Sequence, residues 1–103
     1  MKIAIVTGAG SGIGRATAVS LTEAGFHVVL VGRRVDALEE TAVLAKSTHC
    51  LVVPSDIAKP ESVQALFAKT WETYGRLDLL FNNAGIGAPG VPLEEISFDQ
   101  WQA

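Results

Sequence analysis

The glycines of Thr7-Gly8-Ala9-Gly10-Ser11-Gly12-Ile13-Gly14 are spaced for the close approach of a phosphate. They follow an apolar run, Ile3 to Val6, and open a helical pattern from about Ile13 to Ala24. Strand, glycine turn and helix together present unpaired backbone N–H groups and the positive end of a helix dipole to an anion. Glycine also keeps Cβ atoms out of a ligand's way. The spacing is G-x-x-x-G-x-G on Gly8, Gly12 and Gly14, with Gly10 as an extra, and so differs from the common G-x-G-x-x-G fingerprint. It is not a P-loop, because no Lys-Ser or Lys-Thr pair follows the last glycine. Ser11 is either a hydroxyl donor to a phosphate or a solvated turn residue. Gly14 lies where helix, strand and phosphate converge, so a branched side chain there is expected to displace the ligand more than it unfolds the domain.

Three more stretches carry chemistry, each at the end of an apolar run. In Gly32-Arg33-Arg34 a guanidinium can hold a phosphate by two parallel bonds, or both arginines are solvated loop charges. In Ser55-Asp56-Ile57 an ionised carboxylate can accept from an exocyclic amine, or the three form a simple turn into a helix. In Asn82-Asn83-Ala84-Gly85 small residues let a flat ligand approach.

The elements that must position these groups alternate regularly. Strands are expected at about Lys2 to Val6, Phe26 to Val31, Cys50 to Pro54 and Leu77 to Phe81. Their apolar runs are nearly continuous, as in a parallel sheet covered on both faces. The first helix shows Ile13, Ala16, Thr17, Leu21 and Ala24 as its inner face and ends at Gly25. The second, from Asp36 to about Lys46, turns Leu38, Ala42 and Ala45 inward. The third has Pro60 at its first position, Gly75 at its end, and an apolar stripe of Val63, Leu66, Phe67, Thr70, Trp71 and Tyr74 that reads as core. Beyond a loop after Gly85, Ser97 and Gln100 form a capping box, with Ile96 and Trp101 placed as a hydrophobic staple. Alternation of strand and helix predicts a parallel sheet with right-handed crossovers, and the order 3-2-1-4 is the dinucleotide-binding arrangement. The ligand crevice then lies between strands one and four, where the order reverses. The glycine turn and the Asn-Asn-Ala-Gly stretch both stand at its rim.

Thr7 ahead of the glycine turn, taken with the distant Asn82-Asn83-Ala84-Gly85, resembles the short-chain dehydrogenase/reductase family, whose N-terminal pattern is T-G-x-x-x-G-x-G with a later N-N-A-G. The resemblance covers essentially the whole chain. It implies a Rossmann-type doubly wound α/β sheet and hydride transfer between a nicotinamide cofactor and a small-molecule carbonyl or alcohol substrate. By resemblance, Gly8, Ser11, Gly12, Ile13 and Gly14 meet the pyrophosphate. Asp56 faces the adenine amino group with the Ile57 backbone beside it. Asn83, Ala84 and Gly85 line the ribose and nicotinamide side, and an Asn side chain bridges neighbouring strands. Gly32 stands where NAD-using members commonly carry Asp, and Arg33 and Arg34 follow it, which favours NADP over NAD, with NAD still open. Ser11 departs from the second basic residue that many NADP-using relatives have there.

The family's catalytic Ser, its Y-x-x-x-K pair and its helix Asn are not found. Tyr74 is the one tyrosine, and Gly75-Arg76-Leu77-Asp78 follows it. No catalytic residue is carried over. The expectation is therefore the cofactor-binding half of a longer enzyme, homo-oligomeric when whole and inactive as these 103 residues. The alternatives are a nucleotide-binding module without catalysis and a fragment that binds nothing.

Composition bounds the rest. With 103 residues, 49% hydrophobic and 18% charged, one folded domain is expected and disorder is not. A net charge of −3 gives no reason to expect nucleic acid or an anionic membrane as partner. No stretch approaches the ~20 apolar residues of a membrane span, and Met1-Lys2 leads straight into the first strand. The single Cys50 makes a reducing cytoplasm the default and reads as a core residue. His27 has no evident partner and reads as a surface residue at a strand edge. No metal-ligand cluster is visible.

Overall fold

A computed structural model describes residues 2–46 and 49–83. Ala84, Gly85 and the helix start at Ser97 lie outside the described residues. The elements are β1 (Lys2–Thr7), α1 (Gly12–Glu23), β2 (Phe26–Gly32), α2 (Val35–Leu44), β3 (Cys50–Pro54), α3 (Pro60–Tyr74) and β4 (Leu79–Asn82). All strand pairs are parallel and the order is β3-β2-β1-β4. This is the doubly wound Rossmann-type sheet, in the order expected of the dinucleotide-binding arrangement.

β1 and β2 are buried on both faces because helices cover both. Ala4, Val6, Val28 and Leu30 face α1 and α2, where they meet Ala18, Leu38 and Ala42. Ile3, Ile5, Val29 and Val31 face α3, where they meet Leu66 and Phe67. Register follows from the same alternation, Lys2 opposite Phe26 and Thr7 opposite Val31. Gly75, at φ 72°, takes the left-handed conformation that closes α3, and its N–H donates to the Trp71 carbonyl at 2.8 Å.

Several local expectations change. The buried residues of α1 are Gly14 and Ala18, with Leu21 packed beside them, whereas Ile13, Ala16 and Ala24 face outward. The helix is turned because Gly14, having no side chain, is the residue that can pass under the turn. Trp71 is 41% exposed, so the apolar stripe of α3 is carried by Leu66, Phe67 and Thr70, with Val63 and Tyr74 at its margins. β4 begins at Leu79 rather than Leu77. The preceding Asp78 instead clamps the sheet: its carboxylate accepts from the Ile3 N–H at 2.8 Å and from Arg76 at 2.6 and 2.9 Å. The Arg76 hydrogen bond holds the Asp78 carboxyl below the usual carboxylate range, and the Ile3 N–H adds to this against the cost of desolvation.

His27 has partners after all. Its Nε2 lies 3.3 Å from His49 Nδ1, and its ring meets that of Tyr74 edge-on at 5.9 Å. The parallel pairing of β2 with β3 brings the start of one beside the residue before the other, a juxtaposition that separation in sequence conceals. Cys50 is half-buried and packs against the α1/α2 side, where burial pushes its thiol up. Among the described residues no helix is long and apolar enough to cross a membrane, and no group of three or more His, Cys, Asp or Glu side chains could hold a metal ion.

Candidate functional site

The chain leaves β1 at Thr7 and turns through Gly8, at φ 61°, and Gly12, at φ 55°, both in the left-handed region that favours glycine. Ser11 stands at the helix N-cap in extended geometry, without a side-chain cap bond. The first turn of α1 therefore presents backbone N–H groups at Gly12, Ile13 and Gly14 that no intrahelical carbonyl can take. Ser11, Gly12 and Ile13 are exposed there. A Cβ built on Gly12 meets nothing within 4 Å, so the approach is open.

Gly14 has a different task from the one the sequence suggests. A Cβ on it would lie 2.7 Å from the Gly8 carbonyl carbon and collide with the Gly8 carbonyl oxygen. The clash is with the protein's own backbone. The expectation that a branched residue there would spare the fold is thus overturned: the glycine is first a packing requirement of the turn on its helix.

Two clefts open beside the turn. The first, of about 270 Å³, is lined by Gly8, Gly10, Ser11, Gly32, Arg33, Arg34, Ala37 and Leu38. The second, of about 260 Å³, is lined by Gly8, Gly32, Arg33, Ser55, Asp56 and Ile57. They share Gly8, Gly32 and Arg33, which places Arg33 at the junction. The two arginines are not equivalent. Arg34 pairs with Asp36 at 3.0 Å, both well exposed, and its hydrogen bond holds the Asp36 carboxyl below its usual range. Arg33 makes no ion pair among the described residues. Gly32 backs onto α2: a Cβ there would lie 3.2 Å from Leu38 Cδ2.

Asp56 serves the turn that leads to α3. Its Oδ1 accepts from the Ala58 N–H at 3.0 Å, and its carbonyl accepts from the Lys59 N–H at 3.0 Å. One carboxylate oxygen is thus used by the turn, and the half-buried side chain still lines the second cleft. On the other flank, the Thr7 hydroxyl donates to Asn82 Oδ1 at 3.1 Å across β1 and β4, and Asn83 Nδ2 lies 3.5 Å from the Gly8 carbonyl. The two distant motifs are joined at the strand ends, as the parallel register of Thr7 with Asn82 requires.

The structure thus gathers Gly8, Ser11, Arg33, Arg34, Asp56 and Ile57 around the two clefts, sets Gly12 and Ile13 at the open helix start, and puts Asn83 beside Gly8. Gly14 is buried beneath the turn. Sequence reasoning missed Thr41 and Arg15. Thr41 is fully buried and donates to the Ala9 carbonyl at 2.7 Å, and Arg15 donates to Thr41 at 2.9 Å. A threonine on the inward face of α2, between Leu38 and Ala45, was the available signal.

A parallel sheet of order 3-2-1-4 with an uncapped helix start at its switch point defines the class of dinucleotide-binding α/β domains. Within that class the chain belongs to the short-chain dehydrogenase family, whose model matches residues 2–103. It is 42% identical to short chain dehydrogenase/reductase astE of Aspergillus oryzae, over 98% of this chain and 40% of that protein. It is 41% identical to a 3beta-hydroxysteroid dehydrogenase of Mediterraneibacter gnavus, over 97% of this chain and 37% of that protein. Among solved structures it resembles L-sorbose reductase from Gluconobacter frateurii complexed with NADPH and L-sorbose, with a TM-score of 0.75 and 39% identity over 98% of this chain and 39% of that one. The chain spans about two fifths of the length of the curated relatives it matches.

Proposed function

We propose that this chain is the cofactor-binding part of an NADP(H)-dependent oxidoreductase acting on a small-molecule carbonyl or alcohol. The observation that carries the cofactor reading is Arg33, free of ion pairs among the described residues, at the junction of the two clefts and next to Gly32 rather than an acid. An acid at that strand end suits the free ribose hydroxyl of NAD, whereas an arginine suits the 2′-phosphate of NADP. In this reading the open N–H groups of Gly12 and Ile13 take the pyrophosphate, and the Ser11 hydroxyl adds a donor. Arg33 and Arg34 hold the 2′-phosphate in the first cleft. The adenine lies in the second cleft, with Asp56 facing its amino group through the oxygen not used by the turn and Ile57 beside it. Asn83, Ala84 and Gly85 border the ribose and nicotinamide.

When bound, the nicotinamide supplies the hydride. The chain's own residues bind and orient it. The proton donor expected near a developing alkoxide has no match to the family's Tyr, Lys and Ser in this sequence, so the 103 residues are expected to bind cofactor without turning over substrate. The relatives named above act on substrates as different as a sugar and a steroid by their names, so the substrate class stays at carbonyl or alcohol.

The test is Arg33→Ala, with NADPH and NADH affinities measured side by side. Charge-assisted hydrogen bonds contribute ~1.5–3 kcal/mol, so NADPH binding should weaken roughly 10- to 100-fold and NADH binding should hardly change. Equal weakening of both would show that Arg33 does not read the 2′-phosphate.

A further inference from the structure

Ala9, in the middle of the glycine turn, is fully buried and tied at both ends. Its N–H donates to the Val31 carbonyl of β2 at 3.0 Å. Its carbonyl accepts from the Thr41 hydroxyl of α2 at 2.7 Å. Thr41 Oγ1 also lies 3.2 Å from the Ala37 carbonyl. A hydroxyl has a single hydrogen, and the shorter contact assigns it to Ala9. The Ala37 carbonyl has another donor. Arg15 forks onto both groups, Nε to Thr41 Oγ1 at 2.9 Å and Nη2 to the Ala37 carbonyl at 3.0 Å. The same Nη2 also donates to Glu40 Oε2 at 3.3 Å.

The bonds therefore run in one direction, from the Arg15 cation through the Thr41 hydroxyl to the Ala9 carbonyl. A charged donor at the head of such a chain polarises and shortens the bonds that follow. Because the peptide is planar and trans, fixing the Ala9 carbonyl towards α2 fixes the Gly10 N–H in the opposite direction. The turn and helix touch at one further point: a Cβ on Gly10 would lie 2.9 Å from Ala37 Cβ. Gly10, Ala37 and Arg34 are themselves walls of the first cleft.

We propose that Thr41 and Arg15 are positioning residues that set the gap between the glycine turn and α2, and through it the fit of a 2′-phosphorylated adenosine in the first cleft. The ligand half of this inference rests on the reading of that cleft as the 2′-phosphate site. The brace itself rests on the hydrogen bonds alone.

The experiment compares Thr41→Val, Thr41→Ser and Arg15→Gln with the parent protein by two readouts. Amide hydrogen exchange follows Ala9, with Val28 of β2 as the internal control. Binding is measured for 2′,5′-ADP and for 5′-AMP. Thr41→Val should speed Ala9 exchange by about tenfold while Val28 keeps parental protection. It should weaken 2′,5′-ADP about fivefold more than 5′-AMP. Thr41→Ser should restore both, and Arg15→Gln should shift both in the same sense. Parental exchange at Ala9 in Thr41→Val overturns the brace. Equal weakening of the two nucleotides overturns its link to the 2′-phosphate. Should Thr41→Val fail to fold, Arg15→Gln, whose side chain sits at the rim, decides by the same readouts. A parent protein that binds neither nucleotide removes the cofactor reading and the ligand half with it, while the exchange at Ala9 still decides the brace.

Discussion

The two faces of the sheet solve different problems. On the α3 side large apolar side chains, Ile3, Ile5, Val29, Val31, Leu66 and Phe67, fill the space between sheet and helix. On the α1/α2 side many of the side chains are smaller, with Ala4, Ala9, Ala18 and Ala42 among its buried residues and Gly14 beneath the turn. There the backbone of one element comes against the backbone of the next, and polar bonds from Thr41 and Arg15 stand among the contacts. The α3 side can be assembled from volume and hydrophobicity. The α1/α2 side needs the absence of side chains at particular points, because the turn, α1 and α2 must all converge on the end of β1. The face with less apolar bulk is the one that carries the glycine turn and the first cleft.

Gly14→Ala should show the contrast most strongly. A single methyl group meets the Gly8 carbonyl, a backbone group that cannot rotate away. The loss should exceed the ~4–5 kcal/mol that marks an exceptional point mutation, and urea unfolding should find little folded protein. A stable Gly14→Ala protein would mean that the turn shifts easily and that the α1/α2 face tolerates an added side chain.

Phe67→Ala probes the other face. It removes a large, 3% exposed ring from the α3 core and should cost ~3–5 kcal/mol, depending on how far the core closes over the gap. Nucleotide affinity of the folded fraction should stay near parental, since the ring lines neither cleft. A large selective loss of affinity would show that the two faces are coupled more closely than their separate cores indicate.

Asp78 gives the smallest effect and reports on the N-terminal edge of β1. Its carboxyl titrates below the ordinary value in the folded chain. Its contribution to stability is therefore full above the unfolded value of about 3.9 and is lost as pH falls through the lower folded value. Asp78→Asn should flatten the fall in stability below about pH 4 and lower stability modestly at neutral pH. Denaturant midpoints compared at pH 7 and pH 3 check this: an unchanged pH dependence would mean that the Arg76 and Ile3 bonds are not formed in solution.

Much of this was legible in the chain. The apolar runs at Ile3, Phe26 and Cys50 announce strands covered on both faces, and alternation with helices makes the sheet parallel, while the order 3-2-1-4 follows from the glycine turn's likeness to dinucleotide-binding domains. The glycine turn, Arg33 and Asp56 stand at strand ends, so topology alone brings them to one edge. The inner face of α1 was misread because a hydrophobic pattern ranks Ile13 above Gly14, whereas packing selected the residue with no side chain. The contact of His27 with His49 was hidden because His49 lies beyond a whole helix in sequence. Thr41 and Arg15 went unnoticed because a threonine and an arginine on separate helices have no signature until the helices cross.

By itself the sequence determined which residues stand at which end of which strand, since strand direction and helix crossover follow from local patterns. Only the tertiary structure decided which glycine the packing demands, which arginine has no ion pair among the described residues, and which side chains hold the turn against α2. Those outcomes depend on distances of a few ångströms between backbones far apart in the chain, and no local pattern encodes such a distance.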